Sequence, residues 1–143
     1  MLSNNVNVIR DANAAAAGIT AVNGSVIDMG ADGGWDDITG IALLNALTAT
    51  QATSLKCQQG TLANGSDMAD IAGAATANAA DADSNKLLVL DVHKSLITMR
   101  YVRFVLNRGT ANAALDGILA IQNRGKKVPP ANDATVYQLK QAF

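Results

Sequence analysis

Short apolar runs of period two recur along the chain with turn residues between them, and no amphipathic stretch of roughly 10–15 residues separates any two of them. Leu87–Val92 puts Leu88, Leu90 and Val92 on one face. Arg100–Leu106 puts Val102, Phe104 and Leu106 on one face and Tyr101, Arg103 and Val105 on the other. Leu55, Cys57 and Gln59 share a face, and so do Leu115, Leu119 and Ile121; Ile41, Leu43 and Leu44 mark a further strand. Asn23-Gly24, between Ile19–Val22 and Ser25–Asp28, predicts a hairpin whose turn needs positive φ. All 12 acidic residues are aspartate and none is glutamate, although a helical protein would use glutamate on its wet faces. The pattern predicts an all-β chain: an antiparallel β-sandwich, jelly-roll-like or barrel-like, rather than βαβ units.

The 143 residues fit one domain. Residues 1–17 read as an extended N-terminal arm, in which Val6 and Val8 alternate with asparagines and Asp11–Ala17 has material for one capped helical turn. The sandwich is expected over 18–128. A brief strand at Ala69–Ala72 and a loop over Ala74–Asn85 belong to it. Pro129-Pro130 opens a C-terminal tail, 129–143, where Val136, Leu139 and Phe143 form the stripe of a short helix. No signal peptide or membrane-length apolar run is visible, so synthesis in a cytoplasm is expected.

Several chemistries lack material. One cysteine and one histidine exclude a disulfide framework and a cysteine-based zinc cluster. A net charge of -1 and few aromatics argue against nucleic acid and against a polybasic membrane contact. Asp28, Asp32, Asp36 and Asp37 crowd one loop, but their spacing is not that of a calcium loop, so no metal is expected. Gly30–Gly34 is followed by neither Gly-Lys-Ser nor a long helix and is not a phosphate loop. Cys57 reads as a small buried hydrophobe and His93 as a solvated strand histidine. Bases gather in the last third and acids before residue 92, an asymmetry suited to contact between subunits or with an acidic partner, or to a solvated face. Trp35, in the Gly-Asp loop, is either a contact residue or a lid over the end of the sandwich.

Three blocks carry a resemblance. They are Leu55-Lys-Cys-Gln-Gln-Gly60; Met68-Ala-Asp-Ile-Ala-Gly73 with Asp83-Ser-Asn-Lys-Leu-Leu-Val-Leu-Asp-Val92; and Arg100-Tyr-Val-Arg103 with Arg108, Asn112-Ala113, Ile121 and Lys126-Lys-Val-Pro129. In order and spacing they resemble the capsid-stabilising, or head decoration (cement), proteins of tailed bacteriophages, over about two-thirds of the chain. The turn Lys94–Met99 departs from the family pattern, which has a proline there. The resemblance implies a β-sandwich on the outside of an assembled shell, with no catalysis and no cofactor. Its implied partners are the major capsid protein and copies of itself, a trimer being favoured over a dimer. On this reading Val6, Val8 and Ile9 add as an edge strand to a neighbouring subunit or to the shell, and Val136, Tyr137, Leu139 and Phe143 dock in a neighbour's groove; the alternative for both ends is packing within one subunit. The alternatives are a tail or neck component of a phage and a carbohydrate- or receptor-binding sandwich.

Overall fold

The computed structural model describes residues 5–126 and Thr135. Ten strands follow one another: β1 (Val6–Ala12), β2 (Ala15–Gly18), β3 (Val22–Asn23), β4 (Ile27–Asp28), β5 (Asp37–Leu47), β6 (Ser54–Gly60), β7 (Ala69–Ala75), β8 (Leu87–His93), β9 (Tyr101–Asn107) and β10 (Ala113–Asn123). Sheet A runs β1-β10-β5-β8, with β2 also on β10; sheet B runs β3-β9-β6-β7, with β4 also on β9. All pairings are antiparallel.

The pairing is nested. The first strand lies on the last, β3 and β4 on the last but one, β5 on β8, and β6 on β7. With β1 and β2, both on β10, counted as one interrupted strand, and β3 and β4, both on β9, as another, this is an eight-stranded jelly roll, a hairpin of the whole chain wrapped into two sheets. The expected all-β antiparallel sandwich is the observed architecture.

The two sheets meet on the faces that alternation picked out. Val102, Phe104 and Leu106 of β9, Leu55 and Cys57 of β6, and Val92 of β8 are fully buried. Phe104 fills the space over Gly40 of β5, where a Cβ would come within 2.4 Å of its ring. Glycine is therefore fixed at that position by close approach between sheets.

Local readings changed in four places. Asn23-Gly24 is not a hairpin turn: Val22 pairs with Leu106 and Ile27 with Val102, both on β9. Between them the Gly24 N–H donates to the Phe104 carbonyl at 2.8 Å, and the Ser25 N–H to the Asp11 carbonyl at 2.9 Å. A Cβ on Gly24 would lie 2.0 Å from Asp11 Oδ2, so the glycine serves a close approach rather than positive φ.

Residues 6–17 are not detached from the sandwich. They form β1 and most of β2 in sheet A, with no helical turn at Asp11, and the division at 17–18 falls inside β2. The Ala74–Asn85 loop begins later than expected, since β7 continues to Ala75. Finally, β10 is bulged between Ala113 and Gly117 against β5. The extra residue shifts its phase. Leu115, Ile118 and Ala120 point inward, whereas Leu119 and Ile121, expected beside Leu115, are outward and half-buried.

Candidate interaction face

Directly paired residues share a face of a sheet, so the registers assemble the outer surface of sheet A row by row. One row is Val8, Ile121, Thr39 and Asp91; the next is Arg10, Leu119, Ile41 and Val89; then Leu43 lies beside Leu87. Seven apolar side chains thus make a band across four strands. On β8 they are open, with Leu87 57% and Val89 54% exposed. Toward β1 the band dips into a depression of about 230 Å³ lined by Arg10, Ala12, Leu43, Asp116, Gly117 and Leu119. Gly117, which also lines it, has φ at +153°, and a Cβ there would sit 3.0 Å from the Ala12 carbonyl.

The outer surface of sheet B is different in kind. Lys56 Nζ is 2.9 Å from Asp70, Gln58 Nε2 donates to Asp70 Oδ1 at 2.7 Å, and Arg103 Nε donates to Gln58 Oε1 at 2.7 Å. This network, with Gln58 ahead of Lys56, holds the Asp70 carboxyl below its usual range. A polar network of this kind is at home in water, whereas exposed apolar side chains such as Leu87 and Val89 are the kind of surface that contacts are built on.

Charged groups close one end of the sandwich. Arg100 grips Asp28 through Nε at 2.9 Å and Nη2 at 2.8 Å and keeps its carboxyl below the usual range. Asp36 lies between Lys126 Nζ at 2.6 Å and Lys94 Nζ at 2.9 Å, which pull its carboxyl down to about 2. Asp37 faces Arg124 and His93. Three of the four aspartates weighed for calcium, Asp28, Asp36 and Asp37, therefore already face cations. Those cations come from the basic last third, so the charge asymmetry is answered within one chain.

His93 lies at the β8–β9 turn. Its Nδ1 accepts from the Ser95 N–H at 3.1 Å and is 3.0 Å from Ser95 Oγ; its Nε2 is 3.5 Å from Asp37 Oδ1. The order serine, histidine, aspartate is that of a hydrolytic triad, but the hydroxyl belongs to the histidine's own turn and Asp37 also carries Arg124. The arrangement fastens the turn. Cys57 is fully buried, and burial, with Asp11 nearby, pushes its thiol up to about 12.

The residues singled out in the sequence fall in separate places. Val8 lies in the apolar band, opposite Ile121. Val6 pairs with Asn123, and Ile9 points into the core at 5% exposure. All three sit in their own chain's sheet, on the strand at one end of the sheet A order. Trp35 is 3% exposed, with its ring 2.7 Å from where a Cβ of Gly125 would lie, so the side chain is packed inside rather than offered on the surface. Val136, Tyr137, Leu139 and Phe143 lie outside the described residues. Sequence reading missed Leu119 and Ile121 as outward residues, and with them the band itself.

No protein-family model matches the chain, and no curated protein matches it. Solved structures of similar fold exist. One is that of the infectious bursal disease virus Gt strain, with a TM-score of 0.54 at 11% identity over 88% of this chain. Another is the VP2 subviral particle of infectious bursal disease virus, with a TM-score of 0.53 at 14% identity over 88% of this chain. This chain spans only 34% of the length of each of those chains. At such identity the likeness is one of fold: the jelly roll described above is also the fold of a segment of these virus-particle chains.

Proposed function

We infer that this chain is a non-catalytic structural protein of a virus particle, and that it decorates the outside of an assembled bacteriophage shell. The observation that carries the reading is the jelly roll, shared over 88% of this chain with chains of virus particles. The sequence blocks that resemble phage decoration proteins add to it, since they fall on consecutive strands β6 to β9 and on parts of β10. The apolar band on sheet A gives such a protein a surface with which to bind. Its partners on this reading are the major capsid protein and further copies of the chain, with a trimer favoured. A trimer presents one contact three times, and effective concentration turns a weak contact into a firm one. No cofactor enters, and the chain is made in the host cytoplasm and ends on the capsid exterior.

A sugar-binding sandwich fits less well, because Trp35 and Phe104, two of the five aromatic residues, are buried rather than offered for stacking. Density-gradient fractionation of a lysate tests the proposal. The chain should band with DNA-filled heads at a fixed ratio to the coat protein. Recovery only in the soluble fraction, or with tails at low copy, rejects it.

A further inference from the structure

The edges of the two sheets are finished in different ways, and one is left plain. Sheet A ends in β1, with β2, on one side and in β8 on the other; sheet B ends in β3, with β4, and in β7. Three of these edges are broken. β1 shifts register between Arg10 and Ala12 and gives way to β2. β3 and β4 are two residues each, with residues 24–26 between them. β7 pairs with β6 through a register shift and carries Gly73 at φ +81°. In contrast, β8 pairs with β5 through seven consecutive residues without a shift, and Leu87-Leu-Val-Leu-Asp-Val92 holds no glycine, proline or lysine. Bulges, interruptions, edge lysines and prolines keep a sheet edge from recruiting another strand, and β8 has none of them.

The backbone of β8 is set to pair outward. The Leu44 N–H donates to the Lys86 carbonyl at 2.9 Å, so Leu88, Leu90 and Val92 in turn direct their N–H and C=O groups toward β5. Leu87, Val89 and Asp91 direct theirs away, and among the described residues those groups have no backbone partner. All three residues are exposed. We propose that the edge of β8 takes an added strand from another protein, an extended segment with a basic residue opposite Asp91. This rests on the decoration reading, in which the segment belongs to the shell. Backbone bonds along the edge supply affinity, and the charge opposite Asp91 sets the register. The charge also selects the occupant. Asp91 Oδ1 accepts the Thr39 hydroxyl at 2.9 Å, and among the described residues no cation faces the carboxylate. The β8 of a second copy does not supply one. An antiparallel pair centred on Val89 sets Asp91 against Leu87, one centred on Leu90 sets it against Val89, and one centred on Asp91 sets two carboxylates together.

Two substitutions at one position separate backbone from side chain. Val89→Thr keeps the N–H and the branched shape but replaces a methyl with a hydroxyl. Val89→Pro keeps an apolar side chain and removes the outward N–H, which a strand edge tolerates. Particles lacking the chain are incubated with each variant, its fold checked by its thermal transition, and sedimented. Val89→Thr should bind within threefold of the parent, while Val89→Pro and Asp91→Lys should each lose at least tenfold. Full binding by Val89→Pro would overturn the added strand, and with loss of Val89→Thr it would assign the contact to the apolar face instead. Particles that capture no parent protein would reject the decoration reading itself; capture of parent and Val89→Pro alike rejects the edge alone. Amide exchange gives a measurement that needs neither particle nor substitution. In the free, dilute chain the Val89 and Asp91 amides should exchange at least tenfold faster than those of Leu90 and Val92. Slow exchange at every concentration would mean that the chain already covers its own edge, and slowing that grows with concentration would assign the edge to a second copy. Either result overturns the proposal.

Discussion

Asp11 concentrates much of the molecule's internal tension in one side chain. It stands on β1 at 5% exposure, and its Oδ1 accepts the Ser25 hydroxyl at 2.9 Å while its carbonyl accepts the Ser25 N–H. These two bonds tie the edge of sheet A to the bulged edge of sheet B. Oδ2 has no hydrogen-bond partner among the described residues. Burial raises the carboxyl from 3.8 to about 6, against the lowering effect of the Ser25 bonds. A carboxyl whose folded pKa is raised holds its proton better in the native state. Its stabilising contribution is therefore complete below about pH 4 and is lost as pH rises through 6. A shift of this size corresponds to about 3 kcal/mol at neutral pH, as an order of magnitude. Asp11→Asn keeps an acceptor for Ser25 and removes the ionisation. The variant should unfold at a higher temperature than the parent at pH 7, by several degrees, and at nearly the same temperature at pH 4. A gap that does not change between these two pH values would show that folding does not raise the pKa of Asp11.

Among the strands, legibility follows side-chain size and regularity. β6, β8 and β9 were read from the sequence because large apolar residues alternate there without interruption. β2 and β7 are built mainly of alanine and glycine, whose small side chains give alternation little contrast. β10 misled for a different reason: its bulge changes phase within one apolar run, and nothing in Leu115–Ile121 marks the extra residue except Gly117. The outward band was illegible for the same reason, since its centre is Leu119 and Ile121. β2 also depends on a residue distant in sequence. Arg108 donates to the carbonyls of Thr20 at 2.7 Å, Ala16 at 2.7 Å and Ala113 at 2.8 Å, holding β2 and the segment after it against β10. A guanidinium fork suits three carbonyls in a way that one ammonium does not. Arg108→Ala should cost about 1–3 kcal/mol in urea unfolding. Arg108→Lys should restore only part of it. Amide exchange should quicken in β2 and stay slow in β6; equal acceleration in both would mean that Arg108 supports the whole sandwich rather than one strand.

At the scale of the molecule, the nested pairing sets early acids of the chain against late bases. Folding the chain in half brings Asp28 to Arg100, Asp36 to Lys126 and Asp37 to Arg124. These pairs are largely exposed on their basic side and contribute little stability each. What they do is neutralise one end of the sandwich. With sheet B dressed in its own polar network, the apolar band of sheet A is left as the surface that distinguishes the protein, and β8 is its open margin. Recognition through β8 makes a definite demand. Val89→Asp places a charge at a position that is 54% exposed, so the fold should survive with a loss below about 1 kcal/mol. The same charge would be stripped of water in any apolar contact, where an unpaired carboxylate costs several kcal/mol. If the chain decorates a shell, as proposed, purified particles lacking it should capture the parent protein at least tenfold better than the variant, as read by co-sedimentation. Lys56→Ser on the outer face of sheet B should bind like the parent. If the Val89→Asp chain, folded by its thermal transition, still co-sediments fully, β8 is not the contact and the particle reads another surface. If the Lys56→Ser chain fails and the Val89→Asp chain binds, the polar face of sheet B is the one that meets the shell.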